Sequence, residues 1–376
     1  MTERKDGAAC AAARRPHVPS WDVLRTAAFA AVAAQHILGA YARRYDIGSS
    51  EKVVIAASFE LLRFAVPLFV MLFGAALFYV YREPPRYVPY LAKRVRQLVL
   101  PYAIWTAVYL WYAEKPVTLR SVARGMAYGD ASYHLWYVTM ILQFVVLVPL
   151  FFAARNGLRR CCMTQKRMIV ASALLLGAWL LLLAFRPSDG LAHQLLVTWR
   201  TRGFLLWMGY FALGALCGSF PEAFAAWARR LIVPAGLISV GAVGYAMWLS
   251  VRTVYQKGAV DFNCVSYFSP GYAVLTMVTI LFLYGVAEWL VRWRAVQRVC
   301  GFVGRHSYEA YLAHVLVLTR CSRFLLDHWP EMNRYVFYAV LTVCTIVGAV
   351  LIAWAVDSLV AVLRRGVRQM RGQAKT

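Results

Sequence analysis

The chain is built from apolar runs long enough to cross a bilayer, and that limits its fold more than any motif does. A spanning helix needs about 20 mostly apolar residues. Ten stretches of the 376-residue sequence qualify: 22–42, 53–81, 97–113, 134–154, 168–185, 203–220, 231–251, 271–291, 307–326 and 335–363. Hydrophobic residues make up 61% of the chain, charged ones 15%, and the mean hydropathy is +0.56. Soluble domains are about half apolar and about one quarter charged. Compact water-soluble cores could not hide this much apolar surface, and intrinsic disorder or a disulfide-stapled secreted fold is excluded on the same grounds. The expected fold is an all-α integral membrane protein of about ten transmembrane helices around a central polar cavity. No loop is long enough to fold separately. The expected divisions are an N-terminal tail (1–21), a membrane domain (22–363) and a basic C-terminal tail (364–376). The first apolar run follows Arg14, Arg15 and Trp21 and reads as a first span, not a cleaved signal.

The net charge is +24, with 41 Lys and Arg against 17 Asp and Glu. In a soluble protein that balance would point to nucleic acid. Here the cations cluster in the short segments between apolar runs, which is how a polytopic protein marks its cytoplasmic side. The tails and loops 82–96, 155–167, 221–230 and 292–306 carry 25 cations, and the opposite loops carry 12. Both termini are therefore expected in the cytoplasm. Orientation and contact with membrane lipids account for the charge, and no nucleic-acid partner is expected. The eight Cys show no metal-ligand spacing, so free thiols or small core residues are expected and no metal.

Ionisable residues inside spans are costly and so are candidates for function. In the first span, Asp22 and Arg25 precede His36. Arg25 and His36 are eleven residues apart, which returns to one helix face after a rise of about 16 Å. Such a stripe suits a long ligand with an anionic head at one surface and a reactive end within the bilayer. An Asp22–Arg25 interfacial pair and a hydrogen-bonded structural histidine would fit equally well. Glu60 and Arg63 in the second span share a face with Pro67. They can pair with each other, or Arg63 can line a polar cavity open to the outside. Lys93, Arg94 and Arg96 precede the third span and make a candidate phosphate site, since Arg holds phosphate oxygens bidentately. His134 opens the fourth span beside Trp136 and Tyr137, residues typical of an aromatic belt. Ser307, Tyr311 and His314 fall on one face of the ninth span, which should turn into the bundle. No P-loop, H-E-x-x-H, G-x-S-x-G or G-x-G-x-x-G is present.

Taken in order, these segments resemble the acyltransferase 3 family from about residue 20 to 360. WDVLRTAAFAAVAAQHI is similar to the family's D-x-x-R start and R-x(10)-H motif. The resemblance puts the family's Arg on Arg25 and its catalytic His on His36. FELLRFAVPLFVMLFGAALF matches the second-helix pattern through Arg63, Pro67, Phe69 and Gly74, with Phe73 where a Ser is common. AKRVRQLVLPYAIW resembles the basic segment before the third helix, Lys93-x-x-Arg96 standing for R-x-x-R. HLWYVTMILQFVVLVPLF, FLLWMGYFALGALCG and GRHSYEAYLAHVLVL resemble later signatures.

The resemblance implies a multi-pass acyltransferase of the cytoplasmic, or inner, cell membrane of a bacterium. Acyl-CoA, commonly acetyl-CoA, is the implied co-substrate. The implied acceptor is a hydroxyl of a surface, exported or lipid-linked glycan. Arg25, Lys93, Arg94 and Arg96 are the expected donor-binding cations. Glu60, Arg63, His134, Trp136, Ser307, Tyr311 and His314 are the expected cavity residues. His36 would act as a general base or as a nucleophile through an acyl-imidazole. The same architecture could instead carry a glycan or amphiphile across the bilayer unmodified.

Overall fold

The computed structural model describes residues 15–44, 47–161, 165–185 and 187–373. Most of the expected N-terminal tail, with Cys10, lies outside the described residues, as do Cys162, Arg186 and the last three positions. All regular structure among the described residues is helical. The helices are α1 (Pro19–Arg44), α2 (Ser49–Leu61), α3 (Ala65–Val80), α4 (Tyr87–Arg94), α5 (Leu100–Tyr112), α6 (Leu119–Tyr128), α7 (Trp136–Val146) and α8 (Val148–Cys161). They continue with α9 (Gln165–Ala184), α10 (Gly190–Trp199), α11 (Met208–Ser219), α12 (Pro221–Arg230), α13 (Ile232–Lys257), α14 (Pro270–Leu290), α15 (Arg294–His328) and α16 (Arg334–Gln373).

Proline explains several of the breaks. Its ring collides with the carbonyl four residues back, and Pro67 would meet that of Arg63 in a continuous helix. The chain turns at residues 62–64 between α2 and α3 instead. Pro101 would likewise meet the Gln97 carbonyl. The chain widens there into a π-helical turn, Val95–Val99, closed by Leu100 N donating to the Val95 carbonyl. Pro149 follows the 54° bend between α7 and α8, and Pro221 sits at the 108° bend between α11 and α12.

Among the described residues, five helical segments are long and apolar enough to cross a membrane, and seven if each bent pair counts as one span. They match seven of the ten expected stretches. The stretch 97–113 falls short because α5 has 13 residues, or about 20 Å against a hydrocarbon core of about 30 Å. The apolar part of 168–185 is confined to Val170–Ala184. The stretch 307–326 lies inside the 35-residue α15, where Glu309, His314, Arg320 and Arg323 break the apolar run. Its position explains this composition: α15 packs against α1, α5 and α16, so much of its surface meets protein instead of lipid.

The tightest helix pair is α3 with α11. Gly214 and Gly218 are four residues apart and face α3. A Cβ on Gly214 would sit 1.9 Å from the Met71 carbonyl oxygen, and one on Gly218 2.1 Å from that of Ala75. Small residues let helix backbones approach where lipid supplies no hydrophobic drive. On the other side of α3, α1 packs against it and against α14, α15 and α16. This arrangement puts α1 and α15 side by side near the middle of the bundle.

Candidate active site

Helices α1 and α15 run in the same direction, touching at one end through Asp22 and Thr26 and further along through His36. Asp22 lies against Gly304, where a Cβ would come within 3.1 Å of the Asp22 Cα. Thr26 Oγ1 donates to the Cys300 carbonyl at 3.3 Å. Further along, His36 Nδ1 lies 2.6 Å from His314 Nε2. One end of the pair is charged. Asp22, itself buried, accepts from Arg25 Nη1 at 2.9 Å and from His17 Nε2 at 2.8 Å. Lys93 and Arg96 are exposed, while Arg94 is half-buried over the Tyr90 ring at 5.2 Å. The Tyr308 hydroxyl donates to the Leu98 carbonyl at 2.8 Å. That ties the basic segment to α15 one turn from Gly304, so Arg25 and the cations at 93–96 belong to one end of the bundle.

Eight residues short of the far end of α1, three imidazoles converge. The His36 and His314 rings stack 4.9 Å apart at 11°. His134 comes edge-on to both, 6.1 Å from His36 and 4.9 Å from His314. Among the described residues no group of three His, Cys, Asp or Glu side chains is arranged to hold a metal ion.

The protons on the stacked pair follow from their partners. His314 Nδ1 is 2.6 Å from the carbonyl of Tyr311 in its own helix. A carbonyl can only accept, so Nδ1 carries the proton. In the neutral ring Nε2 is then the acceptor. His36 must donate to it from Nδ1, which leaves the lone pair of His36 on Nε2. A backbone carbonyl thus sets the tautomer of His314, and His314 sets that of His36.

The surroundings hold this arrangement in place. The Tyr109 hydroxyl, from α5, donates to the Leu312 carbonyl at 2.7 Å and accepts from Leu316 N at 3.2 Å. It is inserted into the hydrogen-bond ladder of α15 across the turn that carries His314. The Tyr311 hydroxyl donates to the His134 carbonyl at 2.5 Å. The Ser132 hydroxyl lies 3.1 Å from His134 Nδ1, and Trp105 Nε1 donates to Glu309 at 3.1 Å. The Tyr133 ring stands edge-on to His36 at 5.0 Å. Tyr109, Ser132 and Tyr133 were missed in the sequence. Only the i, i+4 spacing of Trp105 and Tyr109 gave any sign that a polar edge of α5 faces α15.

The other expected residues divide. Tyr311, His314 and His134 join His36. Trp136 stacks on Trp207 at 5.8 Å, and Gly129, in the left-handed region (φ +62°), lets the α6–α7 turn close against it. Ser307 bonds back to the Gly304 carbonyl of its own helix. Glu60 and Arg63 form a separate buried cluster. Their side chains are 1% and 3% exposed. Arg63 holds both carboxylate oxygens of Glu60 and donates to the Phe262 carbonyl at 3.1 Å. Ser250 Oγ donates to Glu60 at 2.9 Å and lies 2.8 Å from Cys264 Sγ.

This is a multi-pass helical membrane protein with a hydrogen-bonded imidazole pair, His314 buried and His36 half-buried, between two central helices. A family model described as an acyltransferase domain matches residues 18–354, and the chain belongs to that family, acyltransferase 3. It is a membrane acyltransferase. No curated protein and no solved structure matches it.

Proposed function

We propose that the protein moves an acyl group, acetyl in the first instance, from cytoplasmic acyl-CoA to a hydroxyl of a surface, exported or lipid-linked glycan at the cell membrane. His36 is the general base. The observation that carries this reading is the His314–His36 hydrogen bond, together with the Tyr311 carbonyl that fixes its direction. It supports a lone pair on His36 Nε2, where a base must have one.

The chemistry balances without a metal or a redox partner. The acceptor hydroxyl gives its proton to His36 Nε2 as its oxygen attacks the thioester carbonyl. The tetrahedral intermediate collapses, the C–S bond breaks, and the departing CoA sulfur takes the proton from His36. The positive charge on His36 in mid-reaction is shared through Nδ1 with His314 Nε2. The alternative, attack by Nε2 on the thioester, would leave an acyl-imidazole. Arg25, Lys93 and Arg96 stand where CoA phosphates would meet the cytoplasmic end, and Arg25 is on the helix that carries the base.

The test is chemical. Cells producing the protein should carry more alkali-labile acyl esters on their glycans than cells without it, and purified protein should release CoA from acetyl-CoA only with acceptor present. Labelled acetyl retained on the protein when acceptor is withheld would favour the nucleophile role over the base. No ester in cells and no CoA release would refute the transfer reading.

A further inference from the structure

The end of the bundle opposite Arg25 contains a cavity of about 410 Å³, within the range of small-ligand sites. It is formed where the α15–α16 turn meets the outer end of α1. Tyr41 and Phe337, both buried, make an apolar floor. Trp329, Glu331, Asn333 and Arg334 make the rim. From the acyl-transfer reading above and this lining, we propose that the cavity seats a sugar residue of the glycan acceptor.

Three features of the lining favour a sugar over a lipid chain. First, Trp329 is 51% exposed and braced edge-on by Phe324 at 5.8 Å. A flat indole with a negatively polarised face suits the C–H face of a pyranose. Second, the rim offers hydrogen-bonding groups of both signs. Glu331 accepts. The Asn333 side-chain oxygen is taken by the N-terminus of α16, accepting from Tyr335 N at 3.0 Å and Val336 N at 3.4 Å, so its NH2 is the group left to donate. Arg334 is held at the rim by Glu51 at 3.1 Å. A lipid tail would leave such groups desolvated and unmatched, which is costly. Third, position separates this ligand from the donor. The cavity is at the end of α1 away from Arg25 and the cations at 93–96. Tyr41 is five residues beyond His36, about 7.5 Å of helix rise. A glycan seated at Tyr41 and Trp329 is therefore held at the end of α1 away from the CoA phosphates.

The experiment uses the full chain. Wild type and the variants Trp329→Leu, Trp329→Phe and Glu331→Gln are produced in the same cells, and alkali-labile acyl esters on the glycan fraction are measured. Acetyl-CoA binding is followed by thermal shift on each purified protein. Trp329→Leu should lower ester formation at least tenfold, Trp329→Phe should retain most of it, and Glu331→Gln should lower it about threefold to tenfold. The acetyl-CoA shift should be the same in all four. Full ester formation by Trp329→Leu or by Glu331→Gln would overturn the seat: an apolar Leu still suits a lipid chain, and a lost carboxylate matters only to a polar ligand. If Trp329→Leu does not fold, the Glu331→Gln result decides. Wild type that adds no ester at all would overturn the acyl-transfer reading, and the seat with it, an outcome distinct from the loss of variants alone.

Discussion

The two polar clusters inside the bundle look alike in the sequence and differ in chemistry. Glu60 and Arg63 are opposite charges whose polar atoms are matched by each other, by Ser250 and by the Phe262 carbonyl. That is a closed circuit with no proton to move. His36 and His314 are of one kind, and they share a single proton across 2.6 Å in a direction set by a carbonyl. Buried charges persist in apolar surroundings by pairing completely. A base needs the reverse, a group whose proton can come and go. Being polar and buried does not by itself mark an active site. What separates these two clusters is that one pairs opposite charges and the other joins two titratable rings through a single hydrogen bond.

The comparison is broken most directly at His36. Glutamine keeps one hydrogen bond toward His314 but cannot take a proton near neutral pH. His36→Gln should lower kcat by about 10²–10⁴-fold while the acetyl-CoA thermal shift stays as in wild type. A variant keeping more than about a tenth of the wild-type rate would move the base elsewhere.

Arg63 is the counterpart on the other side of the comparison. Removing one member of a buried pair strands the other and costs about 3–5 kcal/mol, whereas replacing both with apolar residues is often near neutral. Arg63→Met should therefore lower the unfolding temperature and yield sharply. The double variant Glu60→Leu, Arg63→Met should recover most of that loss and retain acyl transfer. If the double variant folds and is inactive, the pair takes part in the reaction after all.

His314 should fall between these. It touches no reacting atom in the proposed step but fixes the tautomer of His36. His314→Gln can still accept from His36 Nδ1 and should cost about tenfold in kcat, with KM unchanged. His314→Leu, which cannot accept, should cost as much as losing His36. Equal rates for the two variants would remove His314 from its positioning role.

Much of this was legible in the sequence because lipid imposes a simple rule. Apolar length predicts spans, and seven of the expected stretches met it. The rule failed where protein, not lipid, surrounds a helix. The 307–326 stretch in α15 carries Glu309 and His314 where Trp105 and His36 can match them, and no one-dimensional pattern records the neighbours. His36 stood out as an imidazole on the stripe of Arg25, and Arg63 as a charge in a span. Their partners were separated by 278 residues for His314 and by 199 for Phe262, and spacing along one helix says nothing about contacts that distant. Tyr109 was hidden for a different reason. A tyrosine in an apolar helix reads as packing until the helix it enters is known.

The smallest predicted effect tests how the ion pair's carbonyl partner is held. The loop after α13 presents Phe262 to Arg63, and Asp261 shapes it by accepting from Lys257 Nζ at 2.7 Å and from Asn263 N at 2.9 Å. The Lys257 ammonium and the Asn263 amide hold the Asp261 carboxyl below its ordinary value of 3.8. A carboxyl depressed in the folded state stabilises that state above its unfolded value, and the contribution is lost as the pH falls through the folded value. Asp261→Asn should therefore lower the unfolding temperature slightly at pH 7, and the difference should shrink as the pH falls below the ordinary carboxylate range. The site is open to solvent, so the effect at pH 7 should be under about 1 kcal/mol and should shrink in high salt. Thermal unfolding of wild type and Asp261→Asn across that pH range is the measurement. A difference that does not shrink with falling pH would mean that the loop is held by its shape and not by this charge.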